Sequence, residues 1–251
     1  FGYFECMEVF ELPVNGDAAN KRWVVYSGDA RYAVGDFDGK KFTPEHEGKH
    51  RLHYGTYYAS QTFDNAPGGR KIQVGWNTSQ AAPEAPYAGH HSFPHELTLH
   101  TEVNGIRMRA NPIEEIKELR AKSHRVNPVE LSPGSPAVLP ILSNTFELTL
   151  EFDPGDSDQV FIDIPGTHIR YRTKEQIIEH REIPLEVING KVRMHILVDA
   201  CLYEIAGNDG RVYVSLPRDY KLPITEIKIE AIGGNATLTH LEAHELKSIW
   251  E

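Results

Sequence analysis

Thirteen histidines, two cysteines and 36 Asp+Glu are the residues of this 251-residue chain that could hold a metal, form a disulfide or move a proton. Cys6 and Cys201 lie near opposite ends with no Cys-x-x-Cys spacing, so the pattern indicates neither a zinc site nor a small disulfide scaffold. A single long-range disulfide is the one covalent link they leave open. The histidines are scattered, and only His90-His91 and the loose group His46, His50 and His53 look clustered. Metal-binding histidines come at helix or strand spacing beside a carboxylate, whereas these sit among Pro, Gly and Lys. They read as exposed loop histidines, and no metal or other cofactor is expected.

The charge balance narrows the partners. With 26 Lys+Arg against 36 Asp+Glu the net charge is −10, which argues against a phosphate backbone and hence against a nucleic-acid partner. Hydrophobic residues at 40% and charged residues at 25% suit a soluble chain that buries a core. No apolar run approaches the roughly 20 residues that span a bilayer, so no membrane association is expected. The chain opens on Phe1 rather than Met, and Phe1 to Leu12 already reads as structured sequence without a charged-then-apolar leader. A processed or excised fragment is the expectation.

Apolar residues recur with period 2 along most of the chain. Phe146, Leu148, Leu150 and Phe152 alternate with Glu147, Thr149 and Glu151, as in a half-buried antiparallel strand. Val192 to Val198 repeats the pattern, and Cys201 to Ile205, the Asn208-Asp209-Gly210 turn and Arg211 to Leu216 read as a hairpin. Further strands are expected at Glu226 to Ile232 and Thr237 to Leu246, which together imply a β-sandwich from about residue 130 onward. One helix is expected, over Asn111 to Arg120: Asn111 caps, Pro112 opens, Glu114 completes a capping box, and Ile113, Ile116 and Leu119 form one stripe. Before it, strands at Arg22 to Ser27, Ala30 to Asp36, Tyr57 to Asp64 and Lys71 to Trp76 alternate with turns at Gly28-Asp29, Asp38-Gly39 and Pro67-Gly68-Gly69. Four-strand units of this kind suggest about two propeller blades, too few to close a ring, so something must complete the open edges.

Several blocks carry a family resemblance. Phe4-Glu-Cys-Met-Glu-Val-Phe-Glu-Leu-Pro13 resembles the Glu-Cys-Pro-Asp-x-Phe segment of glycoside hydrolase family 32, the β-fructosidases that include invertases, levanases and inulinases. Val34 to Phe42, Tyr57-Tyr-Ala-Ser-Gln-Thr-Phe63, Gly69-Arg-Lys-Ile-Gln-Val-Gly-Trp76, Phe93-Pro-His-Glu-Leu-Thr-Leu99, Ile196 to Gly210 and Leu241 to Trp250 are similar to later family blocks in the same order. The resemblance implies an all-β chain: a partial five-bladed β-propeller of about two blades at 1–110, a linker helix at 111–122 and a C-terminal β-sandwich at 123–251.

It also implies retaining hydrolysis of β-fructofuranosidic bonds in sucrose or fructans. That mechanism needs a nucleophile and an acid/base carboxyl about 5–5.5 Å apart. The family's acid/base Glu corresponds to Glu5, with Cys6 beside it, and Tyr58 and Trp76 match residues that line the sugar subsite. The Asn-Asp-Pro-Asn-Gly nucleophile motif and the Arg-Asp-Pro motif do not occur in these 251 residues. Asp36 and Asp38 could be put forward as substitutes, but Asp38-Gly39 reads as a turn. The expectation is therefore a chain that begins at the acid/base motif, lacks about three blades, and works with a complementing N-terminal propeller segment or as a homo-oligomer. The alternative is an inactive, oligomeric carbohydrate-binding or structural remnant. Departures from the family are Met7 for Pro, Glu8 for Asp, Thr56 where many invertase-type members have Asp, and His95 for Arg. Glu8, if close to Glu5, would help tune it. Many family members are secreted, so an extracellular or periplasmic setting fits, though no residue here reports it.

Overall fold

The computed structural model describes residues 5–79 and 87–249. Residues 1–4 of the opening segment and Trp250 of the closing one lie outside them. The chain divides into two compact units, one drawn from Phe1–Ala81, Ala85–Ile113 and Gly210–Ser215, the other from Glu114–Asp209 and Leu216–Glu251. Both are β-structures, and no described helix is long and apolar enough to cross a membrane.

In the first unit β1 (Glu8–Val14), β2 (Asp17–Ser27), β3 (Arg31–Phe37) and β4 (Phe42–Pro44) form an antiparallel run. Two short strands follow, β5 (His50–Arg51) and β6 (His53–Gly55), then β7 (Tyr57–Thr62), β8 (Lys71–Asn77), β9 (His90–His91), β10 (His95–Glu102) and β11 (Gly105–Pro112). The sheet order is β4-β3-β2-β1-β10-β8-β7, with β1 and β10 paired parallel at Val14 and Leu99. Period-2 patterning sets the faces: Phe10, Leu12 and Val14 are buried, while the alternating Val9 and Glu11 are exposed.

The second unit holds β12 (Arg120–Val126), β13 (Val129–Leu131), β14 (Ala137–Pro140), β15 (Phe146–Asp153), β16 (Gln159–Ile164) and β17 (Thr167–Arg172). Next come β18 (Ile177–Ile178), β19 (Ile183–Pro184), β20 (Val192–Val198) and β21 (Leu202–Gly207), and after β22 (Val212–Pro217) follow β23 (Glu226–Ile232) and β24 (Ala236–Leu246). One sheet runs β12-β24-β15-β20-β21, the other β14-β23-β16-β17-β18-β19. Each turns alternate residues inward, and Phe152 of the first meets Tyr171 of the second edge to face at 5.5 Å. The sandwich strands expected from periodicity form within a residue or two of their predicted bounds.

One expectation needs correction. The helix over 111–120 does not form: Asn111 and Pro112 end β11, where Asn111 pairs with Glu96, and only a 3₁₀ segment, Glu114–Leu119, follows before β12. Pairing along β10 captures the residues that would have capped the helix, and Ile113 is tied by its N–H to the Pro94 carbonyl. The hairpin after Cys201 forms as expected, with β21 and β22 neighbours in one sheet. Asn208, Asp209 and Gly210 all take positive φ, as the turn signal requires, but Gly210–Ser215 belongs to the first unit, where Tyr213 to Ser215 run parallel to β6.

Candidate functional site

Glu5 is exposed, just ahead of β1. Its backbone carbonyl accepts the Gly28 N–H at 2.8 Å, and the Gly28 carbonyl accepts the Ala59 N–H at 3.1 Å. A β-carbon on Gly28 would lie 2.9 Å from the Glu5 carbonyl oxygen and 3.3 Å from the Cys6 β-carbon, so only glycine permits this approach. The Gly28 turn thus staples the Glu5-Cys6 segment to β7 beside Tyr58. There the Tyr58 hydroxyl donates a hydrogen bond to Glu5 Oε1. That bond, with burial and the charges of Glu5, Cys6 and Asp29 behind it, pushes the Tyr58 phenol up to about 12.

Trp76 stands opposite Tyr58 on β8, in register, with the rings edge to face at 6.4 Å. Its indole is 47% exposed, unlike the core aromatics of the same sheet, and it is backed by Gly89 (φ +78°), where a β-carbon would meet Trp76 Nε1 at 2.6 Å. The fold therefore brings Glu5, Cys6, Tyr58 and Trp76 to one place: a carboxylate, a phenol that can donate to it, and an indole face open to a ligand. Cys6 follows Glu5 with left-handed backbone (φ 51°) and is a free thiol, as is Cys201.

Other expected residues have different work. Glu8 turns to β7 and β8, where its carboxylate accepts from the Thr62 N–H (2.9 Å) and hydroxyl (2.7 Å) and from Gln73 Nε2 (3.5 Å). The Thr56 hydroxyl reaches Asn77 Oδ1 at 2.8 Å and the Ser215 carbonyl at 3.0 Å. Asp38 caps its own turn by accepting the Lys40 and Lys41 N–H groups, and the Lys41 bond first, then Lys40, lowers its pKa. Asp29, read from the sequence only as part of a turn, is a second carboxylate whose field reaches Tyr58. Nothing in its local sequence separates it from any other turn aspartate.

The histidines depart most from expectation. His53 and His95 are fully buried, not exposed in loops, and their Nε2 atoms lie 2.9 Å apart. His95 Nδ1 faces the Phe93 carbonyl at 3.0 Å, which can only accept, so in the neutral ring Nε2 is the acceptor. His53 Nε2–H then donates to it, leaving His53 Nδ1 to accept the Tyr26 hydroxyl at 2.9 Å. Tyr57 stacks on His53 at 4.1 Å and donates to Gln73 at 2.9 Å, while Tyr213 stacks on His95 at 4.3 Å. Burial holds both histidines low, His95 at about 4 and His53 well below its ordinary value. The cluster pins β6, β7, β8 and β10 together. Among the described residues no group of three or more His, Cys, Asp or Glu is placed to hold a metal ion.

The chain is thus an all-β protein in which a carboxylate, a phenol and a half-exposed indole come together, and it resembles both solved and curated proteins. A solved exo-inulinase from Aspergillus awamori superposes with a TM-score of 0.80 at 18% identity, over 98% of this chain and 57% of that one. A fructofuranosidase from Schwanniomyces occidentalis, solved with fructosylnystose, gives 0.78 at 18% identity, over 97% and 60%. Among curated proteins the levanase of Bacillus subtilis is 29% identical over 297 aligned residues, covering 99% of this chain and 43% of the levanase. The chain thus spans less than half of that relative. The family models are decisive: the glycosyl hydrolases family 32 N-terminal domain matches residues 1–112 and the family 32 C-terminal domain residues 115–245. The chain belongs to glycosyl hydrolase family 32.

Proposed function

We propose that this chain is the acid/base-bearing portion of a β-fructosidase that hydrolyses β-fructofuranosidic bonds of sucrose or fructans with retention. The observation that carries the reading is the Tyr58 hydroxyl bound to the Glu5 carboxylate beside the half-exposed Trp76, in a segment similar to the family's acid/base motif. In this reading the first unit is two blades of a five-bladed propeller, the second a β-sandwich, and the 3₁₀ segment at Glu114–Leu119 marks the join.

Glu5 protonates the leaving oxygen and then takes the proton from the attacking water. Tyr58 holds the carboxyl's orientation, Cys6 stands beside it, and the Trp76 face packs on the fructosyl ring. The nucleophilic carboxylate comes from outside these 251 residues, on a complementing propeller segment, because neither family motif for it occurs in them. Fructose release from levan and sucrose tests the reading. The chain alone should release none; combined with a propeller segment carrying the nucleophile motif it should release fructose, and Glu5→Gln should lower that rate by about 10²–10⁴-fold, the usual worth of general acid–base catalysis. Fructose release that survives Glu5→Gln unchanged would overturn it.

A further inference from the structure

The second unit contains a cleft of about 790 Å³ that the reaction at Glu5 does not use. Its size is that of a small-molecule site rather than a packing defect, which spans about 300–1,000 Å³ in general. Its frame is built around one cation. Arg218 is 5% exposed, and its guanidinium donates to three carbonyl oxygens, Pro165 at 3.1 Å, Ala200 at 3.0 Å and Leu222 at 2.5 Å, so three loops bordering the cleft are locked to one side chain. Gly166 closes on the same point: its φ is +90°, and a β-carbon there would meet the Asp219 carbonyl at 2.4 Å. Burying a guanidinium against neutral carbonyls is a costly way to hold loops.

The rim carries backbone strain as well. Arg181 (φ 58°) and Glu182 (φ 52°) are consecutive non-glycine residues in the left-handed region, each costing on the order of 1–3 kcal/mol. Arg181 lines the cleft. Strain of this kind is kept where a fixed presentation of side chains is useful.

The lining chemistry selects the ligand. Arg170 and Arg181 face Asp163, Glu179 and Asp219, so formal charges nearly cancel, and His168 and His180 add neutral imidazoles. His180 is held below its ordinary pKa by burial, then by Arg181 and His168, and so stays neutral near pH 7, able to donate from one nitrogen and accept at the other. Arg170 and Glu179 are only loosely paired, at 3.7 Å with side chains 43% and 44% exposed, and can turn to a ligand. A fixed anion would be repelled by three carboxylates and a fixed cation by two guanidiniums. Hydroxyl groups, each donor and acceptor at once, fit donors and acceptors set side by side.

We propose that this cleft is a second saccharide-binding site, for a neutral oligosaccharide, on the sandwich and independent of Glu5. The inference rests on the proposed function only for the choice of test sugar. Calorimetric titration of the whole chain with nystose and with short levan oligosaccharides should show two sites. His168→Ala/Arg170→Ala, both exposed positions whose replacement should leave the melting curve intact, should weaken one site at least 10-fold and spare the other; Trp76→Ala should do the reverse. Binding sensitive to the sandwich pair but not to Trp76 would uphold the cleft and count against the first-unit site. Binding sensitive only to Trp76, no sugar binding at all, or tighter binding of inorganic phosphate than of sugar in a manner abolished by the sandwich pair, would each overturn the proposal.

Discussion

Acid should loosen the first unit, and the buried His53–His95 pair is a principal cause, with His50, also held at about 4 by burial, adding to it. Protonating His95 at Nε2 would set its N–H against that of His53 at 2.9 Å, and protonating His53 at Nδ1 would remove the acceptor of the Tyr26 hydroxyl, in a pocket walled by Tyr26, Tyr57 and Tyr213 and bordered by the Arg51 guanidinium, which donates to the His53 carbonyl at 3.0 Å. His95 titrates at about 4 in the fold against 6.5 ordinarily. As pH falls through 6.5 the unfolded chain takes up a proton that the folded chain refuses until about 4, so stability is full above 6.5 and drains away between those values. At about 1.4 kcal/mol for each pH unit of that gap, His95 alone removes about 3 kcal/mol by pH 4 and about 2 kcal/mol by pH 5. His53 acts in the same direction. Domains of this size are stable by only about 5–15 kcal/mol, so the loss is large. Urea unfolding followed by tryptophan fluorescence reads mainly this unit, since two of the three tryptophans, Trp23 and Trp76, lie in it. Wild type should lose at least about 2 kcal/mol between pH 7 and pH 5, and His95→Gln, less stable at pH 7, should show a clearly flatter pH dependence. Equal slopes in the two proteins would refute the buried-pair account.

Three further outcomes follow from the same geometry. In Glu5→Gln, Tyr58 loses the carboxylate that holds its phenol up to about 12, so a spectrophotometric titration should reveal one more tyrosine ionising near 10; an unchanged titration would show that the two side chains do not meet. Gly28→Ala drives a β-carbon against the Glu5 carbonyl and should reduce sugar binding and turnover by more than 10-fold while the sandwich melts normally, and wild-type binding would contradict the staple. In the sandwich, Glu147 is 1% exposed; burial pushes its pKa up, but bonds from His195 (2.7 Å) and Arg120 (2.5 and 2.8 Å) outweigh this and hold it at about 2. Glu147→Gln should cost about 3 kcal/mol by calorimetry, and in wild type this contribution should be full above pH 4.5 and drain away progressively between 4.5 and 2; a cost below about 1 kcal/mol would count against the ion pair.

Much of this was readable in the residues because alternation is a local signal. The bounds of Val192–Val198 and Glu226–Ile232 follow directly from period-2 burial. The failure at Asn111 to Arg120 is as informative: capping and stripe signals were present, but they are worth about a kilocalorie each, and continued pairing along β10 offered more. The site divides the same way. Glu5, Tyr58 and Trp76 were legible through flanking blocks that resemble a family, whereas the roles of Gly28 and Asp29 depend on contacts between β7 and the turn before β3, which no local pattern reports. His53 and His95 looked polar and loop-like because their partners, Tyr26, Tyr57 and Tyr213, come from three distant segments. A buried imidazole pair is a long-range fact.

The central claim is that Glu5 is the proton donor of a fructosyl-transferring site, and the most direct measurement compares leaving groups. With the nucleophile-bearing segment present, Glu5→Gln should lose about 10²-fold or more in kcat/KM on levan, whose leaving alcohol needs protonation, yet retain most of its kcat/KM, read as the initial burst of nitrophenolate, on a fructoside with a nitrophenolate leaving group, which does not. Equal losses on both substrates, or none on levan, would contradict the assignment.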